Sequence, residues 1–292
     1  MRDHQRAPNV AAMTNTQHET EHTAPVEAWD AIAAAYDEHV TAGESDLAEA
    51  ALRLAGLRAG DAFLDVAAGT GGLSLPAARL GAKVLATDWS PSMVDLFNAR
   101  ATAEGLDAAS RVMDCHALDL TDDTFDVTGS QFGVMLVPDQ ARALREMVRV
   151  TRPGGRVLLI AYGDPSRFEA LHTFVAAAQV VVPDFEGPAD DEPLLEFQVA
   201  DPDVMHHRLT EAGLTEVVID TEHEERVNVR SGQQLWDWTL GGNPIPGMLV
   251  ADLSESQRSD IVQVLDGLVR ERADRTGTAV FTAPVNIGLG TA

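Results

Sequence analysis

Residues 63–72 read FLDVAAGTGG, and LSLPAARL follows at 73–80. Phe63 to Val66 have the apolar character of a buried strand, with one carboxylate, Asp65, near its end. The next positions shed their side chains, and apolar residues at helical spacing then resume. A strand that passes through a glycine-rich turn into a helix lets a ligand reach bare backbone and the free N–H groups of the helix start. Asp65 says something about that ligand's charge. A pyrophosphate would be repelled, whereas a compact ammonium offsets part of the cost of burying a carboxylate. The dinucleotide pattern G-x-G-x-x-G also fails, because after Gly69 and Gly71 it requires glycine where Ser74 stands.

On both sides of this turn the chain alternates between the two periodicities. Helices are expected at 27–40 and 45–57, a strand at 61–67, a helix at 73–80 stopped by Gly81, and a strand at 83–88. A helix at 90–105 follows, with Ser90 as N-cap, Pro91 in its first turn and Gly105 as stop. Strands at 110–115 and 125–134, a helix at 138–155 and a strand at 156–162 complete the series. Such alternation with short connections requires a parallel sheet covered on both faces, with ligands beyond the carboxyl ends of its strands.

After residue 163 the pattern loosens. An apolar helix at 167–182 leads to a Pro- and acid-rich loop; a helix at 201–214 and a strand at 215–227 follow. QLWDWTLGGNPIPGMLV (234–250) is aromatic and turn-rich, a long helix spans 254–273, and a strand closes the chain at 277–290. The expected fold is α/β: a Rossmann-like, doubly wound, mostly parallel seven-stranded sheet with helical cap insertions. Its expected parts are a disordered tail at 1–25 (with Met13 an alternative start), a core at 26–163, caps at 164–200 and 229–276, a core helix and strand at 201–228, and a final core strand at 277–292.

Composition narrows the function. The 292 residues carry a formal charge of −25, which repels phosphate backbones and argues against nucleic-acid partners. Mean hydropathy is −0.07, and no apolar run approaches the ~20 residues of a membrane span. A single cysteine, Cys115, suits a reducing cytoplasm and excludes a disulfide framework or a Cys-rich metal site. A cytoplasmic setting, no metal, no membrane and a small-molecule partner are therefore expected; a homodimer is compatible with the sequence.

DVAAGTGG, ATDWSPSM, MDCHAL, FDVTGSQFGVMLVPD and ALREMVRVTRPGGRVLL, in that order and spacing between residues 27 and 163, resemble the class I S-adenosylmethionine-dependent methyltransferases. The nearest resemblance is to the small-molecule branch that includes the ubiquinone/menaquinone-biosynthesis enzymes. It implies S-adenosyl-L-methionine as cofactor and a role for each motif residue. Asp65 would hold the methionine ammonium. Ala67, Gly69 and Gly71 would admit the methionine and ribose, with Thr70 offering a hydroxyl. Asp88, 23 residues after Asp65, would accept both ribose hydroxyls. Trp89 and Met93 would flank the adenine, and Asp114, Cys115 and His116 would meet its amino edge. Gln131 and Phe132 would lie near the transferable methyl, and Tyr36 would close the pocket from above. The family's usual glycine is replaced by Ala67.

Each of these residues also has a purely structural reading. Asp65 and Asp88 could cap their turns, Trp89 could be core, and Cys115 is given no catalytic role. His172 is a weak catalytic candidate on a cap helix; His206 and His207 are expected to face solvent. Trp236 and Trp238, two apart, fit either a pocket wall or one face of a strand. No general base is named. The apolar residues of the caps point to an aromatic, quinone-like, polyketide or terpenoid acceptor. A cofactor-binding regulator without turnover and a nicotinamide-dependent oxidoreductase are the rival readings.

Overall fold

A computed structural model of the protein describes residues 24–187 and 194–292. The expected tail, apart from Ala24 and Pro25, lies outside those residues, as does part of the acid-rich loop.

Helix α1 (Val26–His39), a 3-10 turn (Thr41–Glu44) and α2 (Ser45–Ala55) precede β1 (Ala62–Val66). Then come α3 (Ser74–Arg79), β2 (Lys83–Asp88), α4 (Pro91–Glu104), β3 (Ala108–Val112), β4 (Phe125–Gln131), α5 (Gln140–Val150) and β5 (Thr151–Tyr162). The start of α4 shows why its sequence is helical. Ser90 Oγ accepts the Met93 N–H at 3.2 Å, Pro91 needs no partner in the first turn, and Gly105 ends the helix at φ 65°.

Seven strands form one sheet in the order β3-β2-β1-β4-β5-β7-β6, where β6 is Thr215–Val229 and β7 is Ala279–Thr291. The first five are mutually parallel; β7 runs antiparallel between β5 and β6. Strand order reverses between β1 and β4, so the crevice at their carboxyl ends is where a ligand fits best. Phe63, Leu64 and Val66 of β1 and Val157 to Ala161 of β5 are buried, as a sheet covered on both faces demands.

Three expected elements are corrected. The third strand ends at Val112, and 113–116 leave the sheet: the Met113 N–H still reaches the Asp88 carbonyl, but Asp114 then turns the chain by accepting the His116 N–H at 2.9 Å. The helix expected to 155 stops at Val150, where the Thr151 hydroxyl caps the Met147 carbonyl and Pro153 lies just ahead. QLWDWTL is helical: α8 spans Gly232–Gly242, opened by Ser231 Oγ accepting the Gln234 N–H.

The remaining helices are α6 (Glu169–Val181), α7 (Pro202–Glu211), α9 (Pro244–Leu249) and α10 (Glu255–Arg272). α7 lays Met205 and Leu209 on β7, where Gly288 leaves room for them; a Cβ there would meet Leu209 at 2.6 Å. α6, α8 and α10 build a second core around Phe174, Leu235, Trp236, Ile261 and Leu265. Val227 and Val229 of β6 and Ala279 and Phe281 of β7 join this second core, while Val285, Ile287 and Leu289 of β7 belong to the main one. The boundary expected at 228/229 falls inside β6, and the final strand expected at 277–292 carries residues of both cores. Among the described residues, no helix is long and apolar enough to cross a membrane.

Candidate functional site

The carboxyl ends of β1, β2 and β4 open into a cavity of about 1690 Å³, its open mouth included. One end is built from strand termini, the other from the cap.

At the strand end Asp65 is buried, and its Oδ2 accepts the Ser74 hydroxyl at 2.6 Å. Its Oδ1 has no partner among the described residues. Burial pushes its carboxyl up to about 7, opposed by the Ser74 bonds and reinforced by Asp88. Ser74, the residue that breaks the dinucleotide pattern, thus orients the acid. Asp88 accepts the Gly69 N–H at 2.8 Å through Oδ2 and the Ser90 N–H at 2.9 Å through Oδ1. Burial raises its carboxyl too, against those two bonds. The two acids end adjacent strands, bracket the bare turn, and both face the cavity.

Ala67 occupies the left-handed region at φ 54°, which costs an L-residue roughly 1–2 kcal/mol. Its carbonyl and Cβ lie so close to Gly133 that a Cβ there would overlap them. Phe132 is left-handed as well, at φ 55°. Both strained residues flank the β1/β4 crevice, where strain held by the surrounding structure is a mark of a ligand site. Gly69 lines the cavity under the Tyr36 ring; a Cβ there would stand 3.6 Å from Tyr36.

Two expected residues have other duties. Thr70 is fully buried, and its hydroxyl pairs with Thr41 at 2.5 Å away from the cavity wall. Gly71 is bare because Phe97 packs against it, 2.6 Å from where a Cβ would be. Gly72, not singled out in the sequence, lines the cavity where Gly71 does not, and a Cβ there would overlap the Glu44 carboxylate.

Trp89 lines the mouth, 42% exposed, and Met93 lies buried behind it. Asp114, Cys115 and His116 also line the wall, their donor atoms within 4.8 Å of one another. His116 Nδ1 and Asp114 Oδ1 are 2.7 Å apart. Partial burial opposes it, but the His116 bonds hold the Asp114 carboxyl below its ordinary range. Burial pushes the Cys115 thiol up to about 12, which makes it a poor nucleophile or thiolate ligand. Gln131 is buried, and neither its Nε2 nor its Oε1 has a partner among the described residues. His172 does not reach the cavity; it is exposed, with Nε2 2.9 Å from the Pro165 carbonyl, while its neighbour Leu171 lines the wall.

Glu44, Tyr162, Glu196, Phe197 and Glu225, which the sequence did not mark, complete the site. Tyr36 donates to Glu44 at 2.9 Å, and Tyr162 donates to Glu225 at 2.8 Å. Burial, then Glu225, pushes Glu44 up to about 8, and burial pushes Glu225 up to about 7. Toward the cap, Phe132 stacks on Tyr162 at 4.6 Å, and Phe168 tilts against Tyr162 at 4.7 Å. Phe197 and Trp238 meet Phe168 edge-on at 6.4 and 6.3 Å. All five rings line the cavity, and with them Glu196 from the turn Leu195–Phe197.

Residues 64–159 match a family described as a methyltransferase domain. That stretch is a methyltransferase domain. An uncharacterized protein of Mycobacterium tuberculosis, Rv1405c, is 44% identical over 108 residues, 37% of this chain and 39% of that protein. The ubiquinone/menaquinone biosynthesis C-methyltransferase UbiE of Bdellovibrio bacteriovorus is 36% identical over 47% of this chain and 59% of its own length. The chain thus spans less than two thirds of either relative. Among solved structures, Haemonchus contortus phosphoethanolamine N-methyltransferase 2, in complex with S-adenosylhomocysteine, aligns with a TM-score of 0.52 at 16% identity. That alignment covers 84% of this chain and 52% of the other, and it shows a shared fold.

Proposed function

We propose that this chain transfers a methyl group from S-adenosylmethionine to a small apolar or aromatic acceptor. The observation that carries the reading is the pair of buried carboxylates, Asp65 and Asp88, at adjacent strand ends across a bare turn, facing a cavity with an aromatic far wall.

The residues suit the cofactor. Asp65 offers an unpartnered oxygen to the methionine ammonium, and a cation beside it restores an ionised carboxylate. Asp88 keeps spare lone pairs for the ribose hydroxyls while its backbone bonds fix its position. Trp89 and Met93 supply flat and polarizable surface for the adenine, with Asp114 and His116 at its edge. Gln131 and Phe132, at and just beyond the end of β4, line the cavity. When bound, S-adenosylmethionine supplies an electrophilic methyl group. The protein's part is to hold the acceptor in line and keep water out, and such alignment supplies on the order of 7–11 kcal/mol. The acceptor rests against Tyr162, Phe168, Phe197 and Trp238, which favours a planar or apolar molecule of the quinone, polyketide or terpenoid kind. The working compartment we propose is the cytoplasm.

Titration calorimetry with S-adenosylhomocysteine and, separately, a nicotinamide dinucleotide tests the cofactor, and release of S-adenosylhomocysteine during incubation with an acceptor panel tests turnover. Binding of the nucleoside with turnover on aromatic acceptors is expected. Binding of the dinucleotide instead, or methylation of polar acceptors alone, refutes the reading.

A further inference from the structure

The cap places one ionisable group against the aromatic wall, and nothing in the cofactor reading uses it. Glu196 is 7% exposed and lines the cavity, and its Oε2 has no hydrogen-bond partner among the described residues. A buried carboxylate without a partner is costly, so such a group persists where a ligand completes it. Its position is fixed. The carbonyl of the preceding Leu195 accepts from Gln140 Nε2 at 3.0 Å, Gln140 is itself buried, and Arg208 Nη1 holds the Gln140 side chain at 2.5 Å. Arg208's other arm goes to Gln198. The cation nearest in this network is therefore engaged elsewhere, and Glu196 lies among the rings that line the cavity.

Resting on the proposed methyltransfer, we infer that Glu196 receives the acidic hydroxyl of a phenolic or enolic acceptor and takes its proton during transfer. The chemistry selects a hydroxyl over an amine. A carboxylate beside an amine stabilises the ammonium, which has no lone pair with which to attack. Beside a phenol it draws off the proton and leaves an electron-rich oxygen and ring. The balance closes without a further reagent. The O–H bond gives its proton to Glu196, the acceptor's electron pair forms the new bond to the methyl carbon, and the carbon–sulfur pair returns to sulfur. Glu196 then loses the proton to water. Burial holds its carboxyl above the ordinary range, which strengthens it as a base toward a hydroxyl. Tyr162, Phe168, Phe197 and Trp238 supply the stacking surface that a planar ring requires.

The test uses full-length protein saturated with S-adenosylhomocysteine, so that no turnover occurs, and three probes: 2-naphthol, 2-methylnaphthalene and 2-(aminomethyl)naphthalene. The methyl group matches the hydroxyl in size, so the first two differ in the hydrogen bond alone. Wild type is expected to bind 2-naphthol at least tenfold more tightly than 2-methylnaphthalene, the scale of one hydrogen bond to a charged group. Glu196→Gln is expected to abolish most of that preference while keeping its melting temperature and its affinity for S-adenosylhomocysteine. Equal affinities in the wild type, no binding of any probe, a preference that survives in Glu196→Gln, or tighter binding of the amine each overturns the inference. The wild-type ratio alone decides should Glu196→Gln fail to fold. Failure to bind S-adenosylhomocysteine at all overturns the underlying methyltransfer reading instead.

Discussion

The two ends of the cavity are built by different means. At the strand end, backbone does much of the work: Asp88 is held by two N–H groups, Ala67, Gly69 and Phe132 sit in left-handed backbone, and Gly72 and Gly133 are bare because something passes close by. At the cap end, side chains do it: four rings and one carboxylate with an unpartnered oxygen, carried on the end of β5, the start of α6, α8 and a short turn. A backbone-built corner tolerates few changes and suits one constant ligand. A side-chain wall can be re-cut by substitution and suits whatever second molecule the protein requires.

The sharpest way to break this contrast is to substitute each end separately. Asp65→Ala is expected to lower affinity for S-adenosylhomocysteine by a hundredfold or more, since it removes the charge that faces the ammonium. Phe168→Ala or Trp238→Ala should leave that affinity within about threefold and weaken binding of planar acceptors instead. Calorimetry on the three variants checks both halves, and a comparable loss from the cap variants would remove the division of labour.

Next in size is a backbone effect at the β1/β4 crevice. Gly133→Ala pushes a methyl group into the Ala67 carbonyl. Overpacking against rigid backbone costs about 1–3 kcal/mol, which thermal unfolding would register as a fall of several degrees. Gly154→Ala, where nothing stands within 4 Å of the added carbon but φ is 78°, separates strain from overlap.

The buried acids give a third test. Glu44 titrates near 8, Asp65 and Glu225 near 7, whereas in the unfolded chain such groups titrate near 4. Between those values the folded protein holds protons that the unfolded chain has released, so stability falls as pH rises from about 4 to about 8. The free protein should therefore melt at least roughly 5 °C lower at pH 8 than at pH 5.5. Glu44→Gln should flatten the slope. A cation bound beside Asp65 drives its proton off, so binding of S-adenosylmethionine at pH 7 should release protons, as calorimetry in buffers of different ionisation enthalpy would report. A melting temperature that rises over this range contradicts the assignment.

The smallest effect is expected at His172. It faces solvent and the Pro165 carbonyl, so His172→Ala should change stability by no more than about 0.5 kcal/mol and leave acceptor turnover as it was.

The same contrast explains what could be read from the sequence. The strand-end corner was legible because its physics is local: a carboxylate near the end of an apolar run and a turn without side chains signal it within ten letters. Even there, Thr70 and Gly71 misled, since a bare or hydroxylated turn position does not say whether a ligand, Thr41 or Phe97 stands opposite. The cap was not legible. Trp236 and Trp238 fit a pocket wall and one face of a strand equally well, but on α8 they lie about 200° apart; Trp236 packs on Phe174, and Trp238 turns to the cavity. Ser231 ahead of the apolar run was the helix signal available. Glu225 sits in the acidic stretch TEHEERV, which resembles a solvated strand face, and a register shift between Asp220 and His223 helps bring it inward. Glu44 and Glu196 lie in short turns, where no periodicity distinguishes an inward carboxylate from an outward one.

β6 and β7 run unbroken from the main sheet into the second core. A lid hung on a flexible joint could swing away between turnovers, but this roof is continuous with the floor beams. Raising it as one piece would tear a ladder of backbone bonds. For the proposed exchange of ligands, local breathing around the short α9 segment and the Trp89 rim is the expected route, and stiffening α9 should slow release without altering what the pocket recognises.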